Sequence, residues 1–361
     1  MKFKPLAVGL AVTLALTACG GSASSQNGSA AASPTPSVPP TWSLTGLPAS
    51  DGDSAKPILM VKIENDPTVR PQTGLDHADM VFEELVEGGI TRFGAVFQSD
   101  IPPLIGPVRS IRHVDASLAS PIADIFVFSG GAPKTMRFVE QHVPSSISVV
   151  TEGGVGMFRS TAHPAPHNVF LKPAALIASI APNNSPSDGF FVRVPAPSSA
   201  STSSSPSGSA SPSTTPNPDL TPIATSKVSI AFSQFENPVW KWDATKSEWM
   251  RFERTAPFTN PQGQQLGFTN MVILYVKTID AGYKDPAGNY VPRSVLTGTG
   301  PGFLITNGQR QKITWAKAGV KDPVTLTDAD GKPIGVPTGR TWVSLVPVTD
   351  GKVTFSAPTT P

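Results

Sequence analysis

The sequence predicts an α/β (α+β) protein, an N-terminal layered α/β sandwich domain joined to a smaller, mostly antiparallel β domain at the C-terminal end. Three observations predict it. Short branched apolar runs alternate with helix-start signals between residues 46 and 194. Residues 226–361 are mostly short apolar runs divided by turn residues, and a Ser/Pro-rich stretch separates the two regions.

The chain opens on Lys2 and Lys4, an apolar run from Leu6 to Leu16, and then Leu16-Thr17-Ala18-Cys19. A basic start, a short apolar core and small residues before a cleavage point describe a secretory signal. This core is too short to span a bilayer, and its end looks like a bacterial lipobox. Residues 1–18 are therefore expected to be a lipoprotein signal peptide. Cleavage before Cys19 would leave a diacylated N-terminus, and two acyl chains are what make membrane anchoring stable. The expected location is the outer face of the cell membrane. Cys19 is the single cysteine. The expected mature chain thus has no free thiol for a disulfide, a thiolate metal site or a cysteine nucleophile.

Charge excludes a different class. The sequence holds 28 Lys plus Arg against 26 Asp plus Glu, and loss of Lys2 and Lys4 brings the two into balance. No overall positive field remains to hold a nucleic acid. Residues 19–45 begin with an uncharged run of Ser, Ala, Gly and Pro that cannot bury enough apolar surface to fold, and they read as a flexible tether.

The elements of the 46–194 region follow in order. Pro57 to Ile63 is a short branched apolar run, hence a strand, ended by Asn65-Asp66-Pro67. Met80 to Glu87, Gly88-Gly89 and Ile90 to Gln98 read as a β-hairpin, because a two-residue Gly-Gly loop supplies the positive φ angles such turns need. With Glu87 opposite Ile90, Glu83, Glu87 and Arg92 would share one face, with Phe82, Val86, Phe93, Ala95 and Phe97 on the other. Pro107 suits the first turn of a helix running to about Ser120, which would set Arg109 and Arg112 on one side. Ile122 to Phe128 reads as a strand covered on both faces. Ser129-Gly130-Gly131-Ala132-Pro133 then leads into a helix over Lys134 to His142. A strand, glycine loop and helix N-terminus can hold an anion, although a plain tight turn accounts for the same residues. Farther on, His167 and Asn168 stand just before an apolar segment.

Residues 195–225 form a Ser/Pro-rich insertion, expected to be disordered, in which glycosylation is an open alternative to a plain spacer. Beyond it, runs such as Val239–Asp243, Trp249–Phe252, Met271–Lys277 and Thr341–Val346 are strands by their spacing. Trp240, Trp242, Trp249, Trp315 and Trp342 are expected to pack in the core rather than to form a sugar-stacking platform.

Several of these stretches occur together in one family. RPQTGLDHADMVFEELVEGGITRFGAVFQSD with IGPVRSIR, the later APHNVF, and the long segment from GTGPGFLITNGQ to WVSLVP resemble the YerB-like lipoproteins of Gram-positive bacteria, in the same order and over nearly all of Pro57 to Pro347. The resemblance implies a two-domain exported lipoprotein and no established activity. Its charged motif residues fall on Glu83, Glu87, Arg92, Arg109 and Arg112, with His167 and Asn168 from the APHN segment.

Arginine forks suit carboxylate or phosphate, a His-Asn pair offers directional hydrogen bonds, and glutamates can hold arginines in place. These seven residues are thus the candidate site of a binding module for an anionic cell-envelope ligand or a protein partner. The same residues could equally form a buried structural network. Among strong motifs the sequence holds no G-x-S-x-G, H-E-x-x-H, P-loop or G-x-G-x-x-G after a strand, and no clustered metal pattern. No cofactor and no metal are expected, and the reading leans away from an enzyme. An extracytoplasmic hydrolase or lyase acting on an envelope polymer, with His167 or Glu87 as general base, is the alternative.

Overall fold

The computed structural model describes residues 40–50, 53–143, 145–148, 155–180, 189–191, 193–194 and 221–358. Cys19, the signal segment, most of the tether and most of the Ser/Pro insertion lie outside the described residues.

In the first region the strands are β1 (Leu59–Glu64), β2 (Met80–Leu85) and β3 (Thr91–Phe97), followed by helix α1 (Asp115–Ala119), β4 (Ile125–Phe128) and helix α2 (Pro133–His142). Short β5 (Ser146–Ser148), β6 (Met157–Arg159), β7 (Val169–Leu171) and α3 (Pro173–Ser179) complete it. The strands used below from the second region are β8 (Lys227–Ala231), β9 (Pro238–Asp243), β10 (Glu248–Glu253), β11 (Asn270–Lys284), β12 (Tyr290–Val295), β13 (Gly298–Thr306), β14 (Gln309–Lys317), β15 (Thr341–Pro347) and β16 (Lys352–Ser356).

The two regions meet in the middle of one sheet of 13 strands, whose central order is β14-β13-β11-β15-β2-β3-β1-β4-β5. Strand β2 pairs in parallel with β15, from Met80 opposite Thr341 to Glu84 opposite Leu345. The Ser/Pro stretch divides the sequence and not this sheet. A second sheet is built on β10-β9-β8-β16.

The layers follow from period-2 alternation. One face of the central sheet presents Val61, Ile63, Val81, Phe93, Ala95 and Trp342 to Val228, Ile230, Trp240, Trp249 and Phe268 of the second sheet and its loops. The other face presents Met60, Phe82, Val96, Val343 and Leu345 to α1, α2 and the Phe190-Phe191 segment. Both faces of the middle strands are covered, and each large apolar side chain so buried stabilises the fold by about 1.5–3 kcal/mol.

Three expectations are corrected. First, the protein is richer in β structure than a layered α/β sandwich: its α-helices among the described residues run for 5, 10 and 7 residues. Second, the stretch after Pro107 is extended up to Arg112. The Val108 N–H donates to Val169 O and the Arg109 N–H to Lys62 O, so neighbouring strands take the donors before a helix can form. The helix starts only at Asp115, whose Oδ2 accepts from the Arg112 N–H at 2.6 Å. Third, the hairpin loop is one residue longer than two, because the Val86 N–H donates to Ile90 O across Glu87-Gly88-Gly89. Leu85 therefore faces Thr91, and Glu83 faces Phe93. A one-residue shift exchanges the faces of a strand, so Phe82 and Arg92 point to the helix side while Glu83 joins Phe93 on the other. The four tryptophans Trp240, Trp249, Trp315 and Trp342 are fully buried, as expected, and Trp242 packs against Trp249 at 5.4 Å between ring centroids.

Candidate functional site

Strands β1, β2, β4, β11 and β15 all run in one direction, and an open sheet of this kind collects ligand-binding residues beyond its carboxyl ends. A cleft of about 1080 Å³ opens there. Glu64 is the last residue of β1, Glu87 follows β2, Arg92 lies at the adjoining start of β3, and Gly131 and Ala132 follow β4. Arg109, Ser110 and Arg112 enter from the extended segment, while residues 281–286 at the far end of β11 form the opposite wall.

Four of the seven expected residues, Glu87, Arg92, Arg109 and Arg112, line this cleft. Glu87 is more than nine-tenths buried and makes a close ion pair through Oε2 with the Arg112 guanidinium. Arg92 stands 4.0 Å from the same oxygen and donates from Nη1 to Ser110 O at 2.9 Å. Burial, reinforced by the charge of Arg112, lowers the Arg92 guanidinium to about 9, with Glu87 opposing the fall. Arg109 Nε lies 2.9 Å from Glu64 Oε1, and its Nη1 donates to Pro166 O at 3.2 Å.

His167 sits just behind this rim. Its Nδ1 is 2.9 Å from Glu64 Oε2, so Glu64 is held from two sides, by Arg109 and by His167. Asn168 is turned away, accepting through Oδ1 from Arg159 Nη1 at 2.8 Å. Glu83 is on the opposite face of the sheet, bound to Arg251, and does not belong to the cleft; the register shift at the hairpin accounts for that.

Sequence reasoning missed Glu64, Asp66, Lys134, Arg137, Lys284 and Asp285, which also line the cleft. Glu64 could have been found, since a glutamate ending an apolar strand must find a partner. The β11–β12 arm carrying Lys284 and Asp285 could not, because its placement depends on pairing between regions far apart in sequence. Its tip touches the helix side through Tyr283 Oη and Thr135 Oγ1, 3.2 Å apart. The Asn289 amide holds the Asp285 carboxyl below its ordinary range, with Arg112 across the cleft adding to that effect.

Six cationic and four carboxylate side chains line the cleft. Lys134, Arg137 and Lys284 make no ion pair among the described residues. The Nε donors of Arg92 and Arg112 and Glu87 Oε1 are buried without a hydrogen-bond partner among the described residues. No group of three or more His, Cys, Asp or Glu able to hold a metal occurs among the described residues.

Comparison with known proteins places these features in context. Residues 44–186 match the "Protein of unknown function (DUF3048) N-terminal domain" and residues 228–343 match the C-terminal domain of the same family. Over 127 residues the chain is 36% identical to "Putative lipoprotein YerB" of Bacillus subtilis (strain 168), a match covering 35% of this chain and 38% of that protein. The crystal structure of YerB from Bacillus subtilis aligns with a TM-score of 0.68 at 22% identity, over 87% of this chain and 99% of that one. That likeness establishes the fold.

Proposed function

We propose, from the premise that this chain belongs to the YerB-like family with both DUF3048 domains, that it is a membrane-anchored extracytoplasmic binding module. Its anchor is the lipidated Cys19, and its ligand is an anionic cell-envelope component or the acidic side chains of a protein partner. The carrying observation is the charge imbalance of the cleft. Among the described residues, Arg92, Arg109 and Arg112 share only Glu64 and Glu87 as ion-pair partners, and the exposed Lys134, Arg137 and Lys284 line the outer part without any. A cation withdrawn from water needs an anion, and an open cleft lets a ligand supply it. Glu64 and Glu87 keep the arginines in position in the ligand's absence.

The hydrolase alternative has less behind it. Glu87 is engaged by Arg112, and His167 has its Nδ1 on Glu64 and does not line the cleft.

The test is native mass spectrometry of the full-length lipoprotein extracted from its own membranes, alongside an Arg109→Ala variant of unchanged melting temperature. An anionic adduct retained by the wild type and lost from the variant supports the reading. An adduct that persists both in this variant and in one with Lys134 and Arg137 replaced by Ala, or the absence of any anionic adduct, overturns it.

A further inference from the structure

We infer that the anion accepted by this cleft is a phosphate group, seated between the first turn of α2 and the Arg112 guanidinium, with Lys134 and Arg137 closing its outer side. This rests on the anion-binding reading above and narrows it to one ligand chemistry.

Charge is the first argument. The lining cations outnumber the lining carboxylates by two, six against four. A further carboxylate would cancel one of those charges, whereas a phosphate monoester carries about −1.5 to −2 near neutral pH.

Geometry is the second. Helix α2 is ten residues long, starts with Pro133 at its first position, and has Ala132 as its N-cap, a residue with no side chain able to accept the first-turn N–H groups. Those donors and the helix dipole favour an anion, and the Gly131-Ala132-Pro133 entry forms part of the cleft wall. Independently of the helix, Arg92 and Arg112 line the same cleft while more than nine-tenths buried, and each has an Nε donor without an acceptor.

The third argument is shape. The planar carboxylate role is already filled, by Glu87 on Arg112 and by Glu64 on Arg109. A tetrahedral group with three acceptor oxygens takes donors from several directions at once, and the α2 entry and Arg112 line one cleft.

The experiment uses the full-length lipidated protein in detergent at fixed ionic strength, titrated calorimetrically with glycerol 3-phosphate, with glycerophosphoglycerol and with succinate. The first two separate a terminal phosphate from a phosphodiester chain, and saturable binding of glycerol 3-phosphate, about tenfold tighter than of succinate or of the singly charged diester, is expected. Replacing Lys134 and Arg137 together with Ala should weaken that binding about tenfold, or about 1.4 kcal/mol, at unchanged melting temperature. Arg137→Gln alone, expected to weaken it in the same direction, serves if the double variant is less stable. Succinate or the diester binding as tightly as glycerol 3-phosphate overturns the phosphate assignment as argued and leaves the anion reading standing. No binding of any probe overturns both, and phosphate affinity unaffected by either variant overturns the seat at α2.

Discussion

Arg251 directs Nη1 to Glu83 Oε2 at 2.7 Å and Nη2 to Glu83 Oε1 at 3.0 Å, and both side chains are wholly excluded from solvent. The pair ties β10 of the second sheet to β2 at the centre of the first. Trp342 Nε1 donates to the same carboxylate at 3.0 Å, and the guanidinium carbon lies 4.6 to 5.5 Å from the ring centroids of Phe93, Trp240, Phe258 and Trp342. A buried fork of this kind is costly to break on one side only. Arg251→Met should destabilise the fold by about 3–5 kcal/mol, because Glu83 is left buried and unpaired. The double variant with Glu83→Gln should lose clearly less than the sum of the single losses, as measured by urea unfolding.

Arg112 and Arg109 should separate in the same measurement. Without Arg112, buried Glu87 keeps among the described residues only Arg92 at 4.0 Å as an ion-pair partner. Arg112→Ala is therefore expected to cost about 3–5 kcal/mol. Glu64 keeps His167 when Arg109 is removed, and the Arg109 side chain is partly exposed. Arg109→Ala is expected to cost no more than about 1 kcal/mol. Equal losses would mean that the two arginines carry the same structural burden.

Stability should fall as pH rises through the neutral range. Burial pushes the Glu84 carboxyl from 4.5 up to about 7, against Lys62 and with Asp115 adding to the rise; burial and Glu253 push Glu236 to about 8. A carboxyl with a raised folded-state value favours the fold while neutral. Its contribution is complete below about 4.5 and is lost as pH climbs through the folded value. Thermal melts from pH 4.5 to 8 should show this decline. Glu84→Gln should make the decline below about 7 shallower, leaving the part due to Glu236, while Lys62 keeps Asp115 at 2.8 Å.

The two loop glycines should tolerate change differently. Both have positive φ, but a Cβ on Gly89 would come within 2.8 Å of the Phe235 ring, while one on Gly88 would meet nothing within 4 Å. Ser233 Oγ also donates to Gly89 O at 2.5 Å, docking the loop on the second region. Gly89→Ala is expected to destabilise by about 1–3 kcal/mol, and Gly88→Asn by a few tenths at most, since asparagine accepts left-handed backbone. Chemical denaturation of both variants checks the contrast.

Much of the strand content was legible because period and turn chemistry are local. β1, β4, α2 and most strands of the second region lie where apolar runs and Gly/Pro punctuation put them. What escaped was set by distant partners. The hydrogen bonds that keep residues 108 and 109 extended come from β1 and β7, which no local helix signal can outweigh. Gly88-Gly89 announced a turn correctly, yet the count of three loop residues instead of two moved Glu83 out of the site. Glu87, Arg92, Arg109 and Arg112 survived that error as cleft residues because they cluster at one end of the sheet whichever strand face they take.

Parallel pairing of β2 with β15 joins positions about 260 residues apart. At translation rates of roughly 5–20 residues per second, β2 waits on the order of 10 to 50 s after synthesis before its neighbour exists. Nascent chains that stop short of residue 341 leave a hydrophobic strand edge open on each, a template for association between unfinished copies. Quality control of this protein therefore has to act late, on chains that are nearly finished and still unable to close.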